Sequence, residues 1–529
     1  MLDSGLRRND GFGCFEAGFG LNEEQYRSLC AACDRALLAP DSTIERVAIP
    51  WLHVIREHPV FLADYVDLFG PAKGVRSMAC QWLRVLRNQA GRFWRLGRAL
   101  RFDGKPWFGP RQLPERVDVL FVSHLLNASH AGQPNDFYFG ELPDELAAQG
   151  RSVAVALINH SDQAGAALAG QWRESAVPRT ILSDSLGFLE EVDLHRRLKK
   201  ESFRLRKLAK RENAGLFRKV LVRASQEALS GSSLTTLRMA KQIGALVARL
   251  KPKAVVVTHE GHAWERVAFA AARSAVPEVR CIGYQHAALF RLQHAIRRKL
   301  AREYNPDRIL TAGTVSKAQL ERAPGLNGIP ISVLGSNRSF KGTPVNGGCT
   351  TDRAQAAHSD NPACLVLPEG IASECHLLFE FSLACARVFP EVQFIWRLHP
   401  IVTHESLVAR NPKLRNLPEN VLFSQATLEE DIARSRYALY RGTTAIVQAA
   451  VAGLRPIYLM LPGELTIDPL YELKDWRVKI ATVPDFQHVI LSDASMSQDS
   501  LTSEMRHIKN YCQTLFLPLD KDRFMSVIF

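Results

Sequence analysis

The sequence predicts an α/β fold: two Rossmann-like domains behind an N-terminal helical extension. Three observations carry this. Short apolar runs alternate with helical stretches from Val117 to Val333 and again from Cys364 onward, the pattern of parallel sheets with crossover helices. A tract rich in Gly, Ser, Asn and Asp, from Gly335 to Asn361, separates the two series. Within the second series, Arg436–Leu459 reads as strand, Gly/Thr turn, alanine-rich helix, glycine stop and strand, one whole unit of such a sheet. A chain of 529 residues is also too long for one hydrophobic core.

Taken in order, residues 1–115 predict helices at Glu23–Leu38, Trp51–Asp64 and Gly74–Leu100, after a ragged tail. Pro106, Pro110 and Pro114 mark their end, and the chemistry is expected beyond them. The first domain, 116–335, draws strands from Val117–Val122, Ser152–Ile158, Thr180–Leu182, Ala254–Val257, Arg280–Tyr284, Arg308–Leu310 and Ile331–Val333. Helices are expected at Leu142–Leu146, Leu234–Leu250 and Trp264–Ala275, with one long basic helical insertion over 192–223. After a linker at 336–361, the second domain, 362–529, predicts strands at Cys364–Leu367, Val392–Ile395, Arg436–Leu439 and after Arg455-Pro456. Its helices fall at Glu374–Val388 and Glu429–Ala433, with a terminal helix near Leu501–Leu515 that packs back across the junction.

Composition narrows the function classes. No run of 18 apolar residues lacks charge, so nothing in the sequence spans a bilayer, and the first residues hold no signal-peptide core. The ten cysteines show neither zinc spacing nor a secreted disulfide framework, which reads as reduced thiols and a cytoplasmic location. The net charge of +13 is concentrated: six arginines interleave with Trp82, Phe93, Trp94 and leucines over 84–101, and eleven Lys/Arg lie between Arg196 and Lys219. Such stretches suit either a solvated face packed on the protein body or a peripheral contact with an anionic membrane surface. No nucleic-acid motif accompanies them.

The ends of parallel strands are where an α/β sheet holds ligands. His259-Glu260-Gly261-His262 follows one such strand. Glu260 is the candidate general base, provided its pocket raises its pKa toward neutrality, or a nucleophile toward an anomeric carbon; capping is the competing role. His259 and His262 stand by to assist, and the glycine and the histidine spacing exclude a helical zinc pair. His286, after Gln285 at the next strand end, can contact an anion or donate a proton. Asp184, between Ser183 and Ser185, is the alternative base. In the second domain Arg397, His399 and Pro400 follow a strand, proline shaping the loop around the imidazole. Gly442, Thr443 and Thr444 form a turn whose N–H groups and hydroxyls can hold a phosphate. Glu369 and Gly370 face a base or ribose from the first loop. No P-loop, dinucleotide fingerprint or metal-demanding Asp pair occurs, so neither cofactor nor metal is expected.

Over about residues 116–520 these motifs resemble the sugar-nucleotide glycosyltransferases of GT-B architecture. His399-Pro400 and Thr443-Thr444 are similar to the His-Pro motif and Ser/Thr pair of CMP-sugar enzymes, the Kdo and sialic acid transferases. The resemblance implies that they hold the phosphate and ribose side of CMP. Teichoic acid polymerases that use CDP-alditols share the His-Pro feature. The stretches VLFVSH, HEGHAWER and GYQHA resemble a group described only as surface carbohydrate biosynthesis proteins. The sialyltransferase-like families carry an acid-acid-glycine motif in the first domain; here His259-Glu260-Gly261 keeps the second acid and the glycine. The implied activity is metal-independent transfer from a nucleotide-sugar donor, best CMP-Kdo or another CMP-nonulosonate, to a glycan or lipid-linked acceptor, in capsule or lipopolysaccharide synthesis on the inner face of the membrane. The rivals are CDP-alditol phosphotransfer, sugar-nucleotide epimerisation or hydrolysis, and a non-catalytic export scaffold.

Overall fold

A computed structural model describes residues 20–70, 91, 97, 99–100, 104–110, 112–172, 177–339, 362–399, 402–473 and 477–528. The N-terminal tail, most of the basic aromatic stretch 74–100, the linker from residue 340 onward and Pro400 lie outside the described residues.

Two sheets account for the architecture. The first contains β1 (Trp107–Phe108), β2 (Val119–Leu125), β3 (Val153–Asn159), β4 (Arg179–Leu182), β5 (Ala254–Thr258), β6 (Arg280–Gln285), β7 (Arg308–Thr311) and β8 (Ile331–Val333). Their spatial order is β1-β4-β3-β2-β5-β6-β7-β8, with only β1 antiparallel to its neighbour. The second contains β9 (Ala363–Leu367), β10 (Gln393–Trp396), β11 (Val421–Phe423), β12 (Tyr437–Tyr440), β13 (Arg455–Leu459) and β14 (Val478–Ile480). These run parallel in the order β11-β10-β9-β12-β13-β14. Two sheets flanked by helices make a two-Rossmann GT-B architecture.

The central strands are continuous apolar runs because both faces are covered. Phe121 and Val119 pack on one side of the first sheet, while Leu120 and Val122 pack on the other against Leu246 and Phe269. Leu365 and Leu367 face Ile446 and Val447 in the second sheet, and Cys364 and Val366 face Phe379 and Leu378. Strand order reverses between β2 and β5 in one sheet and between β9 and β12 in the other. Helices leave to opposite faces there and open a crevice at the strand ends. Glu260 follows β5, Glu369 follows β9 and Gly442 follows β12, so all three stand at the two switch points.

Two helices differ from expectation. Trp51–Asp64 is not continuous: a 3-10 turn at Pro50–His53 ends at Val54 (φ 44°), and a short helix resumes at Pro59–Leu62. Pro59 disfavours helical backbone at His58, which is extended, and Ile55–His58 form no helix. The insertion over 192–223 is two helices, Phe188–Arg211 and Leu216–Glu227, parted at 212–215. Both pack with helix Glu23–Leu37 and helix Gly231–Leu250 around one core, including Leu29, Leu52, Leu198, Leu221 and Leu237. The basic residues of the insertion line its outer side.

The chain end returns to the first sheet. Helix Gln498–Leu515 packs on both helix Ala445–Val451 and helix Thr314–Glu321, and Pro518 bridges to Ser336. Helix Lys521–Ile528 then buries Phe524 beneath the sheet, stacked on Phe121 with ring centroids 5.6 Å apart. Phe524→Ala leaves a cavity in that core and should destabilise the protein by about 3–5 kcal/mol. Urea unfolding monitored by circular dichroism reads this, and an unchanged midpoint would detach the chain end from the core.

Candidate functional site

The first-sheet half of the site is built by a cap. Helix Ala263–Ala275 begins just after Glu260, and its third residue, Glu265, folds back over its own start. The Glu265 carboxylate accepts the backbone N–H groups of Glu260 (2.9 Å), Gly261 (2.7 Å) and His262 (3.0 Å), and His259 Nδ1 lies 2.9 Å away. The anion nest at this helix start is thus filled from within. Gly261 makes the turn possible: its φ is +88°, and a Cβ there would stand 2.3 Å from the Ala295 carbonyl carbon.

This turn leaves the Glu260 side chain buried beside His262, whose Nε2 lies 3.5 Å from Glu260 Oε2. The sequence expectation of a carboxyl raised toward neutrality does not hold. Burial pushes its pKa up, but His262, the neighbouring His286 and Arg56 together hold it at about 2. Glu260 is an ionised carboxylate with an imidazole on one oxygen. His286 is only 5% exposed, and among the described residues neither ring nitrogen has a hydrogen-bond partner. Burial lowers its pKa to about 4, so it is neutral at pH 7. Tyr138 meets its ring edge-on, with centroids 4.3 Å apart. Further along the strand ends, His124 hydrogen-bonds to His160 (2.8 Å) and Thr258 Oγ1 (3.0 Å) and packs edge-on to Trp264.

In the second sheet, Glu369 is buried and contacts His58 Nε2 from the N-terminal extension. Gly442 lies against its carboxyl: φ is +63°, and a Cβ would sit 2.8 Å from Glu369 Cδ. Thr443 Oγ1 accepts the Ala445 N–H at 3.3 Å, whereas Thr444, at the helix cap, makes no side-chain cap bond. Gly370 occupies the bend leading to helix Ala372–Val388. His399 follows β10, within the influence of Glu369, and burial lowers its pKa to about 4. Arg397 is committed elsewhere, to Asp431 (2.8 Å) and the Ala426 carbonyl (2.7 Å). Arg441 is likewise spent on Glu374 (2.7 Å), Glu464 (2.7 Å) and the Leu459 carbonyl (3.0 Å).

Charges join the two halves. The field of Arg56 acts on both Glu260 and Glu369, and that of Arg338 on both His286 and His399. Glu260 acts in turn on His286, and Glu369 on His399. Arg56 thus bears on a carboxylate of each half, and Arg338 on an imidazole of each.

Asp184 stands apart: it is exposed, beyond β4, with β3 and β2 between that strand and β5. Strand spacing puts it roughly 14 Å from the Glu260 turn. Arg56, His58, Tyr138 and Arg338 escaped the sequence reading. The one available signal was His58-Pro59, which dictates extended backbone. Among the described residues one group has cation-ligand spacing, His58, Glu369 and Glu374, with ligand atoms within 4.8 Å of one another. Its carboxylates already face an imidazole and a guanidinium, which leaves little uncompensated negative charge for a divalent ion.

No family model matches the sequence, and no curated protein matches it as a relative. Among solved structures it is similar to UDP-GlcNAc 2-epimerase from Neisseria meningitidis bound to UDP-GlcNAc, at 13% identity and TM-score 0.40, over 78% of this chain and 99% of that one. UDP-GlcNAc 2-epimerase from Methanocaldococcus jannaschii gives 12% identity and TM-score 0.40, over 78% and 99%. The calicheamicin glycosyltransferase CalG4 gives 12% identity and TM-score 0.42, over 78% and 98%.

Buried His286 and half-buried His399 make stability depend on pH. Above about pH 6.5 their rings are neutral whether the chain is folded or not, so they leave stability unchanged. Between pH 6.5 and 4 the unfolded chain takes up protons that folded His286 and His399 refuse. Stability therefore falls as pH falls, by on the order of 2 kcal/mol per ring at pH 5. His286→Asn should show a smaller drop in urea midpoint between pH 7 and pH 5; an equal drop would mean that the buried ring is not held neutral.

Proposed function

We propose that this protein is a glycosyltransferase that moves a sugar from a nucleotide donor, CMP-Kdo or another CMP-nonulosonate, to a surface glycan or lipid-linked acceptor. The observation that supports this reading is the placing of charged groups at the two switch points: Glu260 follows β5, Glu369 and Gly442 follow β9 and β12, and one cation, Arg56, acts on both carboxylates. The cytidine donor rests on the resemblance of His399-Pro400 and Thr443-Thr444 to the CMP-sugar enzymes.

The donor lies against residues 362–529, with its phosphate near His399 and the turn at Gly442, Thr443 and Thr444. Glu369 and Gly370 bound the nucleoside side. Arg397 supports the loop through Asp431. The acceptor enters over residues 116–335, where Trp264, Tyr138 and His160 supply rings and hydrogen-bonding groups at the strand ends.

A carboxyl held near pKa 2 is a weak base by itself. The proton of the acceptor hydroxyl passes to His262, and Glu260 orients that ring and stabilises its positive charge, the logic of a carboxylate–imidazole pair. The acceptor oxygen bonds to the anomeric carbon as the bond from that carbon to the phosphate oxygen breaks. The electron pair leaves with the phosphate, whose added charge meets donors fixed beforehand: an N–H of neutral His399 and the threonine hydroxyls. His286, buried and unpartnered among the described residues, hydrogen-bonds to the sugar between them.

The membrane contact rests on helix Phe188–Arg211. Its outer side carries Arg196, Lys199, Lys200 and Lys207, with Leu189 82% and Phe203 70% exposed among them. Apolar side chains within a basic face suit an anionic lipid surface, where a lipid-linked acceptor is found. Among the described residues, no helix is long and apolar enough to cross a membrane.

Calorimetric titration with CMP, CDP, UDP and GDP should show CMP binding most tightly, and His399→Ala should weaken it about tenfold or more. Glu260→Gln should leave that affinity within about twofold and lower transfer by roughly 10²–10⁴. A product heavier by a sugar alone supports transfer; one heavier by a phosphodiester would replace it with alditol phosphotransfer. Failure of every nucleotide to bind would end the reading.

A further inference from the structure

We infer that the non-helical N-terminal segment Ile55–His58 forms a wall of the binding crevice, and that Arg56 on it grips the phosphate of the bound nucleotide. This rests on the nucleotide-sugar reading above and adds a contact from outside both sheets.

The segment is pinned at several points. The Ala295 N–H donates to the Ile55 carbonyl at 3.5 Å, and the Leu292 N–H donates to Glu57 Oε1 at 2.5 Å. His58 Nε2 contacts Glu369 Oε1 at the second-sheet switch point, and His58 Nδ1 accepts the Val60 N–H at 3.2 Å. Arg56 is thus fixed at its backbone between loop 286–297 of the first sheet and Glu369 of the second. Its guanidinium carbon lies 4.9 Å from the Phe61 ring centroid and 5.5 Å from that of Phe290. Rings against a guanidinium face hold its plane but leave the in-plane N–H donors unspent.

Three other guanidinium groups near the switch points are consumed, whereas Arg338 lies over the Phe137 ring. Arg441 is bound to Glu374 and Glu464, Arg397 to Asp431, and Arg266 to Asn305 and backbone carbonyls. Arg56 donates no hydrogen bond among the described residues and is half-buried at the crevice. The two carboxylates whose field it shares already have partners, Glu260 with His262 and Glu369 with His58. A half-buried guanidinium that donates to nothing among the described residues, shelved on aromatic rings and near the strand end that carries His286, whose ring is unpartnered among the same residues, matches the planar oxygens of a phosphate. The chemical class it takes is a nucleoside phosphate, gripped through the phosphate and not the base.

The test compares a nucleotide with its own nucleoside. CMP and cytidine are titrated into the full-length wild-type protein, Arg56→Ala, Arg56→Lys and His399→Ala, each first checked by circular dichroism and thermal midpoint. Arg56→Ala should weaken CMP tenfold or more and leave cytidine within twofold, with Arg56→Lys between them. Equal CMP affinity in Arg56→Ala and wild type would overturn the inference. Equal loss for CMP and cytidine would also overturn it, by reducing Arg56 to a structural support. Should Arg56→Ala fail to fold, Arg56→Lys decides alone: undiminished CMP affinity with a changed thermal midpoint overturns the grip. If the wild-type protein binds neither compound, the nucleotide-sugar reading falls first and this inference with it. Loss in His399→Ala without loss in either Arg56 variant removes only the inference.

Discussion

Glu369 is a carboxylate brought nearly out of water at the point where the second sheet changes direction, and the site takes its shape from how that charge is met. An ionised carboxyl in such a place costs several kcal/mol unless a partner compensates it. Its partner, His58, comes from more than three hundred residues earlier in the chain. Burial pushes Glu369 toward protonation, and His58 with Arg56 pulls it back below the usual carboxylate range. Because the partner sits on a non-helical segment, satisfying Glu369 draws Arg56 into the crevice as well. Gly442 completes the constraint, since any side chain there would strike the carboxyl. One buried charge thereby sets the position of three chain segments.

The same economy governs the rest of the crevice. Its carboxylates Glu260 and Glu369 are ionised and its His286 and His399 neutral, so negative charge is confined to positions with a partner. Neutral imidazoles keep one donor and one acceptor, and on His286 neither is used within the described chain. A site in this state can present hydrogen bonds to an incoming anion without first losing a proton. An anionic ligand would also stabilise the protonated form of His399, so affinity rises on the acid side for as long as the fold endures it.

Most of the architecture was written in the sequence because parallel strands buried on both faces must be continuous apolar runs. Ala254–Val257 and Cys364–Leu367 could hardly be read otherwise, and the central strands were found within a residue or two of their places, save β2, which runs three residues past its expected end. The strands that escaped, β1, β11 and β14, have two or three residues and no period to detect. Glu260, His286, Glu369, His399 and Gly442 were legible because polar residues at strand ends mark the crevice side. Asp184 met the same rule but belongs to β4, too far along the sheet, and strand order is not visible in a single sequence. Arg56 was not legible, and His58 only through the proline that follows it. Their segment looked helical by period, and only the tertiary demand of Glu369 makes it part of the site.

The filled cap at Glu265 bears on which wall receives the phosphate. Both switch points present a helix start, and an anion is favoured at either by the same backbone donors. On the first sheet those donors are already bound to the protein's own carboxylate, and Glu260 beside them adds further negative charge. A phosphate there would have to displace Glu265 and would meet repulsion from Glu260. On the second sheet the turn at Gly442 carries hydroxyls at Thr443 and Thr444, the cap at Thr444 makes no side-chain bond, and neutral His399 lies near. Under the proposed transfer, electrostatics therefore favours the leaving phosphate at the second wall and the group that surrenders a proton at the first, beside the Glu260–His262 pair. Arg56, which acts on Glu260 of one wall and Glu369 of the other, is a cation common to both.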